Sequence, residues 1–231
     1  MRDSVTDVSC SRQRIRTSGI YLVTDTALCA PRGVVDTVRA AVAGGVTTVQ
    51  VREKDASAAD FYALVLAVSE AAANRATMLV DDRVDVFLAA KAAGAAVHGV
   101  HVGQTDLPAD SVRTIVGPDA VVGLTANTPD HLDLLAGLPP GTVDYLGAGV
   151  IRPTRTKPDH PEPLGINGFA DFAAGSPLPV VAIGGILLED IAALRTAGAS
   201  GAAVVSAICG AADPLRAATD LVRAWNTGSP A

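Results

Sequence analysis

From Ile20 to Trp225 the chain alternates short β-branched runs with Ala-rich stretches of helical spacing, and the alternation recurs eight times. Such a rhythm builds parallel sheet, because each helix carries the chain back so that the next strand starts in the same direction. The strand runs are 20–25 (IYLVTD), 47–53 (TTVQVRE), 77–82 (TMLVDD), 99–103 (GVHVG), 121–126 (VVGLTA), 144–149 (DYLGAG), 179–184 (PVVAIG) and 202–208 (AAVVSAI). Helical spacing predicts helices over 34–43, 57–73, 83–93, 108–116, 128–136, 167–174, 188–197 and 213–225. Asp55 to Ser57 precedes the second helix, Thr128-Pro129 opens the fifth and Asp213-Pro214 the last, with Pro at an early helical position. The Ala-Gly steps at Ala43-Gly44-Gly45, Ala93-Gly94 and Ala197-Gly198 predict helix stops with Gly in the left-handed conformation.

Eight parallel strands close into a (β/α)8 TIM barrel or lie open as a doubly wound sheet, and the pattern alone permits both. Count and economy favour closure, since units recur roughly every 26 residues, as a small barrel requires. No GxGxxG follows the first strand to suggest a dinucleotide fold. With 49% hydrophobic residues and only 3% aromatics in 231, the core must be built from Ala, Val, Leu and Ile, which suits strands covered by helices. The expected organisation is a single barrel over 19–227 behind a disordered extension, 1–18. Arg2, Arg12, Arg14 and Arg16 give that extension something of a transit peptide, but Asp3 and Asp7 oppose that reading.

A formal charge of −6 and a pI near 5.1 argue against nucleic acid as a partner, since phosphate neutralisation needs a basic face. No run of 18 apolar residues escapes interruption by Gly or charge, so no membrane span and a cytoplasmic location are expected. Cys10, Cys29 and Cys209 lack CxxC spacing and suggest neither a zinc site nor a disulfide framework.

Barrel chemistry is expected at the C-terminal ends of strands, with phosphate often held after strands seven and eight. Gln50, Arg52 and Lys54 alternate, so on an extended second strand they share one face, where an amide and two cations could bind an oligophosphate. A solvated strand end with a Glu53 ion pair is the competing reading. Asp81-Asp82 closes the third strand and Asp106 follows the fourth; neighbouring strand ends can pair carboxylates around Mg²⁺, although carboxylates also serve loops and helix caps. After the sixth strand, Arg152-Pro153-Thr154-Arg155-Thr156-Lys157 concentrates hydroxyls and cations. Gly184-Gly185 after the seventh lets backbone N–H groups approach a phosphate, and the eighth strand offers Val205-Ser206. His98 and His101 point to opposite faces of a strand and read as structural.

Together, QVREK (50–54), VDDR (80–83), HVGQTD (101–106), GLTANT (123–128), PTRTK (153–157), AIGGI (182–186) and VVSAI (204–208) resemble the thiamine phosphate synthase, or thiamine-phosphate pyrophosphorylase, family over about residues 20–226. The resemblance implies a transferase that joins 4-amino-2-methyl-5-(diphosphooxymethyl)pyrimidine to a thiazole phosphate. It releases pyrophosphate, and also CO2 when the thiazole is carboxylated. Gln50, Val51, Arg52, Glu53, Lys54, Asp81, Thr125 and Lys157 match the pyrimidine diphosphate site, with Arg52, Lys54 and Lys157 as catalytic cations. Asp82 and Asp106 match the Mg²⁺ ligands, and Thr154, Arg155, Thr156, Gly185, Val205 and Ser206 match the thiazole phosphate site. The expected partners are these two small molecules, with a homo-oligomer allowed. The chain departs from the family pattern at Asp81 (usually Asn), Thr125 (Ser), Asn127 (His) and Val150 (Pro), and Arg152 adds a charge. A thiazole tautomerase shares the barrel and phosphate pocket but lacks the Thr-x-Thr-Lys loop, and a noncatalytic phosphate-binding barrel would not need the acidic pair.

Overall fold

The computed structural model describes residues 18–30, 32–154 and 162–227. Residues 1–17 of the expected extension, with Cys10, and Arg155, Thr156 and Lys157 lie outside the described residues. Eight parallel strands pair in chain order and the last pairs with the first, so the sheet is a closed barrel and the open alternative is excluded. The strands are β1 (Gly19–Val23), β2 (Thr48–Val51), β3 (Thr77–Asp81), β4 (Gly99–Val102), β5 (Val121–Thr125), β6 (Tyr145–Gly149), β7 (Val180–Ile183) and β8 (Gly201–Val204). Closure is made by Tyr21 opposite Ala203 and Leu22 opposite Val204.

Helices α1 (Thr26–Cys29), α2 (Val34–Ala43), α3 (Ala58–Ala72), α4 (Val84–Ala92), α5 (Ala109–Val116), α6 (Pro129–Ala136), α7 (Gly165–Gly175), α8 (Ile191–Thr196), α9 (Ser206–Cys209) and α10 (Pro214–Thr227) surround the sheet. A 3₁₀ turn, Leu188–Asp190, leads into α8. Ser57 accepts from Asp60 N at the start of α3, Thr128 from His131 N at α6, and Asp213 from Arg216 N at α10, each filling a donor that the first turn leaves unpaired. Gly45, Gly94 and Gly198 take positive φ at the expected stops.

Two apolar layers follow from strand alternation. Outward residues such as Leu22, Val49 and Val80 pack under Phe61, Phe87 and Phe169 of the helices, all essentially inaccessible. Truncating any of these rings to Ala would cost about 3–5 kcal/mol. Inward residues, including Tyr21, Leu79, Val121, Tyr145 and Val181, fill the barrel. A Cβ on Gly123 would lie 2.3 Å from Tyr145 Cζ and 2.4 Å from His101 Nδ1, so this inward position must be Gly to admit both rings.

The eighth strand is shorter than the 202–208 expected. Val205 leaves the extended region at φ −115° and ψ −80°, and its carbonyl accepts from Ile208 N and Cys209 N, which coils 206–209 into α9. The second strand likewise ends at Val51, so Arg52 and Lys54 stand beyond it in the following loop. Helix α1, capped by Asp25 accepting from Leu28 N, is too short to carry a periodic signal.

Candidate active site

The C-terminal mouth of the barrel encloses a cavity of about 680 Å³. Gln50, Arg52, Lys54, Asp81, Asp82, Asp106, Thr125, Thr154, Gly185, Val205 and Ser206 all line it. Val51 and Glu53 do not. Val51 turns outward into the layer beneath the helices, and Glu53 accepts from Thr26 Oγ1 and from Asp55 N, tying the β2 loop to α1. Arg155, Thr156 and Lys157 fall outside the described residues.

On one side of the mouth, charge of both signs is concentrated. Thr24 Oγ1 accepts from Arg52 N at 3.0 Å and holds the start of the β2 loop against β1. Arg52 Nε and Lys54 Nζ each lie 3.6 Å from Asp81 Oδ2, and Lys54 also donates to Asp82. Asp81 is 8% exposed. Burial, with Asp82 beside it, pushes its carboxyl up to about 7, and the two cations only partly offset that rise. Asp82 turns out of β3 at φ 56°, a left-handed conformation that costs an L residue about 1 kcal/mol or more. Its N–H donates to His101 O at 2.8 Å. Burial, and then Asp106 within hydrogen-bonding reach, also raise the Asp82 carboxyl, while Lys54 draws it down. Asp106 is fixed by accepting from Gly103 N at 2.7 Å.

On the opposite side, the β6 loop is laced to the β7 turn. Ile151 N and Arg152 N both donate to Gly184 O at 3.0 Å. Gly184 and Gly185 have φ of 95° and 67°, and a Cβ on Gly185 would lie 2.7 Å from Arg152 O, so this backbone path excludes any other residue. Arg152 does not add a free cation to the cavity. Its guanidinium makes a two-pronged pair with the buried Asp190, with Nε at 3.0 Å from Oδ2, and the same carboxylate accepts from Leu187 N.

Several lining residues fall inside the motifs but carry no site role in the family match. His101, read as structural, is fully engaged yet borders the cavity, with Nε2 3.0 Å from Thr125 Oγ1 and Nδ1 2.8 Å from Tyr145 Oη. Gln104 donates to Thr125 O. Asn127 accepts from Gly149 N at 3.1 Å, and its own N–H donates to His131 Nδ1, so the α6 start braces the β6 end. Their place in HVGQTD and GLTANT, at strand ends, was the available signal. His98, by contrast, is structural, accepting from Met78 N.

A family profile described as thiamine monophosphate synthase matches residues 20–208. The thiamine-phosphate synthase of Corynebacterium efficiens is 45% identical over 195 residues, covering 84% of this chain and 90% of the relative. That of a Psychrobacter species is 43% identical over 211 residues, covering 88% and 93%. Among solved structures, thiamine phosphate pyrophosphorylase from Pyrococcus furiosus superposes with a TM-score of 0.79 at 29% identity, covering 94% of this chain and 98% of that one. Barrel, ordered motifs and whole-length similarity coincide, and the chain belongs to the thiamine monophosphate synthase family.

Proposed function

We infer that the chain joins an aminopyrimidine methyl diphosphate to a thiazole phosphate, giving thiamine phosphate and pyrophosphate. The observation that carries this is the division of one cavity into a side with Arg52, Lys54, Asp82 and Asp106 and a side with Gly184-Gly185 and Ser206. Two anionic substrates thereby have separate seats and can meet between them. In this reading the C–O bond to the diphosphate breaks, the electron-rich ring stabilises the methylene cation, and the thiazole nitrogen forms the new C–N bond. When the thiazole is carboxylated, CO2 leaves as well.

Arg52 and Lys54 are assigned to the charge that grows on the departing diphosphate, with Lys157 completing the set. Gln50 and Thr125 orient the pyrimidine, and Thr154, Arg155, Thr156, Gly185, Val205 and Ser206 seat the thiazole phosphate. No enzyme nucleophile is needed, because alignment and charge stabilisation supply the catalysis.

The residues present fit Mg²⁺. Among the described residues no cluster of three or more His, Cys, Asp or Glu could enclose a metal, but Asp82 and Asp106 border the cavity together. Two carboxylates completed by substrate phosphate oxygens and water are a typical Mg²⁺ environment. Among the described residues Asp81, Asp82 and Asp106 gather in this half of the cavity beside Arg52 and Lys54, so a divalent cation would also relieve carboxylate repulsion of a diphosphate. Bound there, Mg²⁺ would supply electrostatic stabilisation of the leaving group.

The test mixes purified protein with both substrates, with Mg²⁺ or with EDTA, and measures thiamine phosphate and pyrophosphate together. Equal amounts of both with Mg²⁺ are expected; absence of both at saturating substrate overturns the reading.

A further inference from the structure

Beneath the cavity, four hydrogen bonds link five side chains from five different strand positions in one line. Gln50 Nε2 donates to Tyr21 Oη at 2.8 Å, Tyr21 Oη and Tyr145 Oη are 3.0 Å apart, and His101 joins Tyr145 to Thr125. Tyr21 is 2% exposed and Tyr145 1%. Burial raises both phenols far above their ordinary range, so each keeps its proton and must place it.

With the Gln50 amide nitrogen on Tyr21 and a neutral His101 ring, counting protons gives the line a direction. Tyr21 accepts from the Gln50 amide, and among the described residues Tyr145 is the acceptor available to its own proton. Tyr145 then donates to His101 Nδ1, which places the His101 proton on Nε2, where it donates to Thr125 Oγ1. Thr125 is left with its hydroxyl proton to offer to the cavity. At the other end, among the described residues Gln50 Oε1 has no protein partner and no buried polar side-chain atom is unpaired, so this oxygen opens onto the cavity that Gln50 lines.

We propose that Tyr21, Tyr145 and His101 are positioning residues that fix Gln50 as a hydrogen-bond acceptor and Thr125 as a donor, and so select an amino-substituted pyrimidine over its oxo counterpart. The proposal rests on the synthase reading above. A ring amino group can donate to Gln50 Oε1, whereas a ring carbonyl there would face oxygen with oxygen. Turning the Gln50 amide by half a turn would suit the carbonyl, but it would reverse every donor along the line, so the five groups must change together. Discrimination is therefore held by buried residues below the ligand as well as by the group that touches it.

Calorimetric binding of the aminopyrimidine methyl diphosphate and of its 4-oxo counterpart, with Mg²⁺ and without thiazole phosphate, tests this. Wild-type protein is expected to prefer the amino ligand by about tenfold or more, or at least 1.4 kcal/mol. Tyr21→Phe and Tyr145→Phe, which each remove one oxygen, are expected to bring the two ligands to within about twofold, and the double variant to add no further loss. Two single variants guard against one failing to fold. Retained preference in a folded single variant, equal weakening of both ligands, or a wild type without preference overturns the relay. Thiamine phosphate formation by the same wild-type preparation reports separately on the synthase reading.

Discussion

Replacing Asp81 by Asn removes a buried carboxyl that this chain carries where the family pattern has an amide. Asp81 titrates near 7 in the folded protein against an ordinary 3.8, because burial and the neighbouring Asp82 outweigh Arg52 and Lys54. For an acid whose folded pKa is raised, its contribution to stability is complete below pH 3.8 and is lost as pH climbs through 7. At about 1.4 kcal/mol for each pH unit between the two values, full ionisation costs the metal-free protein about 4 kcal/mol. Asn does not titrate, so Asp81→Asn should gain stability over wild type by up to that amount between pH 4 and pH 8, with little gain at the acid end. Urea unfolding in EDTA at several pH values measures it. Added Mg²⁺ should shrink the gain, since a divalent cation favours the carboxylate, and turnover should be kept or raised. A stability difference that is the same at pH 4 and pH 8 would refute the reasoning, as would a severe loss of activity in the variant.

Three further outcomes are expected. Asp82→Ala and Asp106→Ala should each raise the Mg²⁺ concentration for half-maximal turnover by about tenfold or more, measured by metal titration at saturating substrates; an unchanged midpoint would remove both from the metal site. Gly123→Ala should lower stability by about 1–3 kcal/mol through overpacking against Tyr145 and His101, seen as a lower urea midpoint with unchanged slope. Arg152→Ala should lower Tm more than Arg152→Lys, because the buried Asp190 loses its partner entirely in the first, and it should raise KM for the thiazole phosphate by loosening the β6 loop.

The barrel was legible because its strands are buried on both faces and its helices are Ala-rich with explicit caps, so Ser57, Thr128 and Asp213 act where the local pattern places them. The short helices α1 and α9 were not, since four residues carry no period. At the site, position at a strand end was enough to bring Arg52, Lys54, Asp82 and Asp106 to one cavity. What spacing could not reveal were contacts between residues far apart in the chain. Arg152 looked like a cation for phosphate until Asp190, 38 residues on, claimed it. Nothing in the local sequence singles out Tyr21 and Tyr145, 124 residues apart, and only closure of the barrel lets their hydroxyls meet. His101 drew a structural reading because its spacing from His98 sets the two on opposite strand faces, and its partners Thr125 and Tyr145 are far from it in sequence.

If one cavity seats two anions on opposite sides, a crystal of the protein soaked with Mg²⁺, pyrophosphate and the thiazole phosphate will show both at once. Pyrophosphate is expected beside Arg52, Lys54, Asp82 and Asp106, and the thiazole phosphate at Gly184-Gly185 and Ser206. Both anions on the same side, or a phosphate group of either one bound away from these residues, would contradict this arrangement.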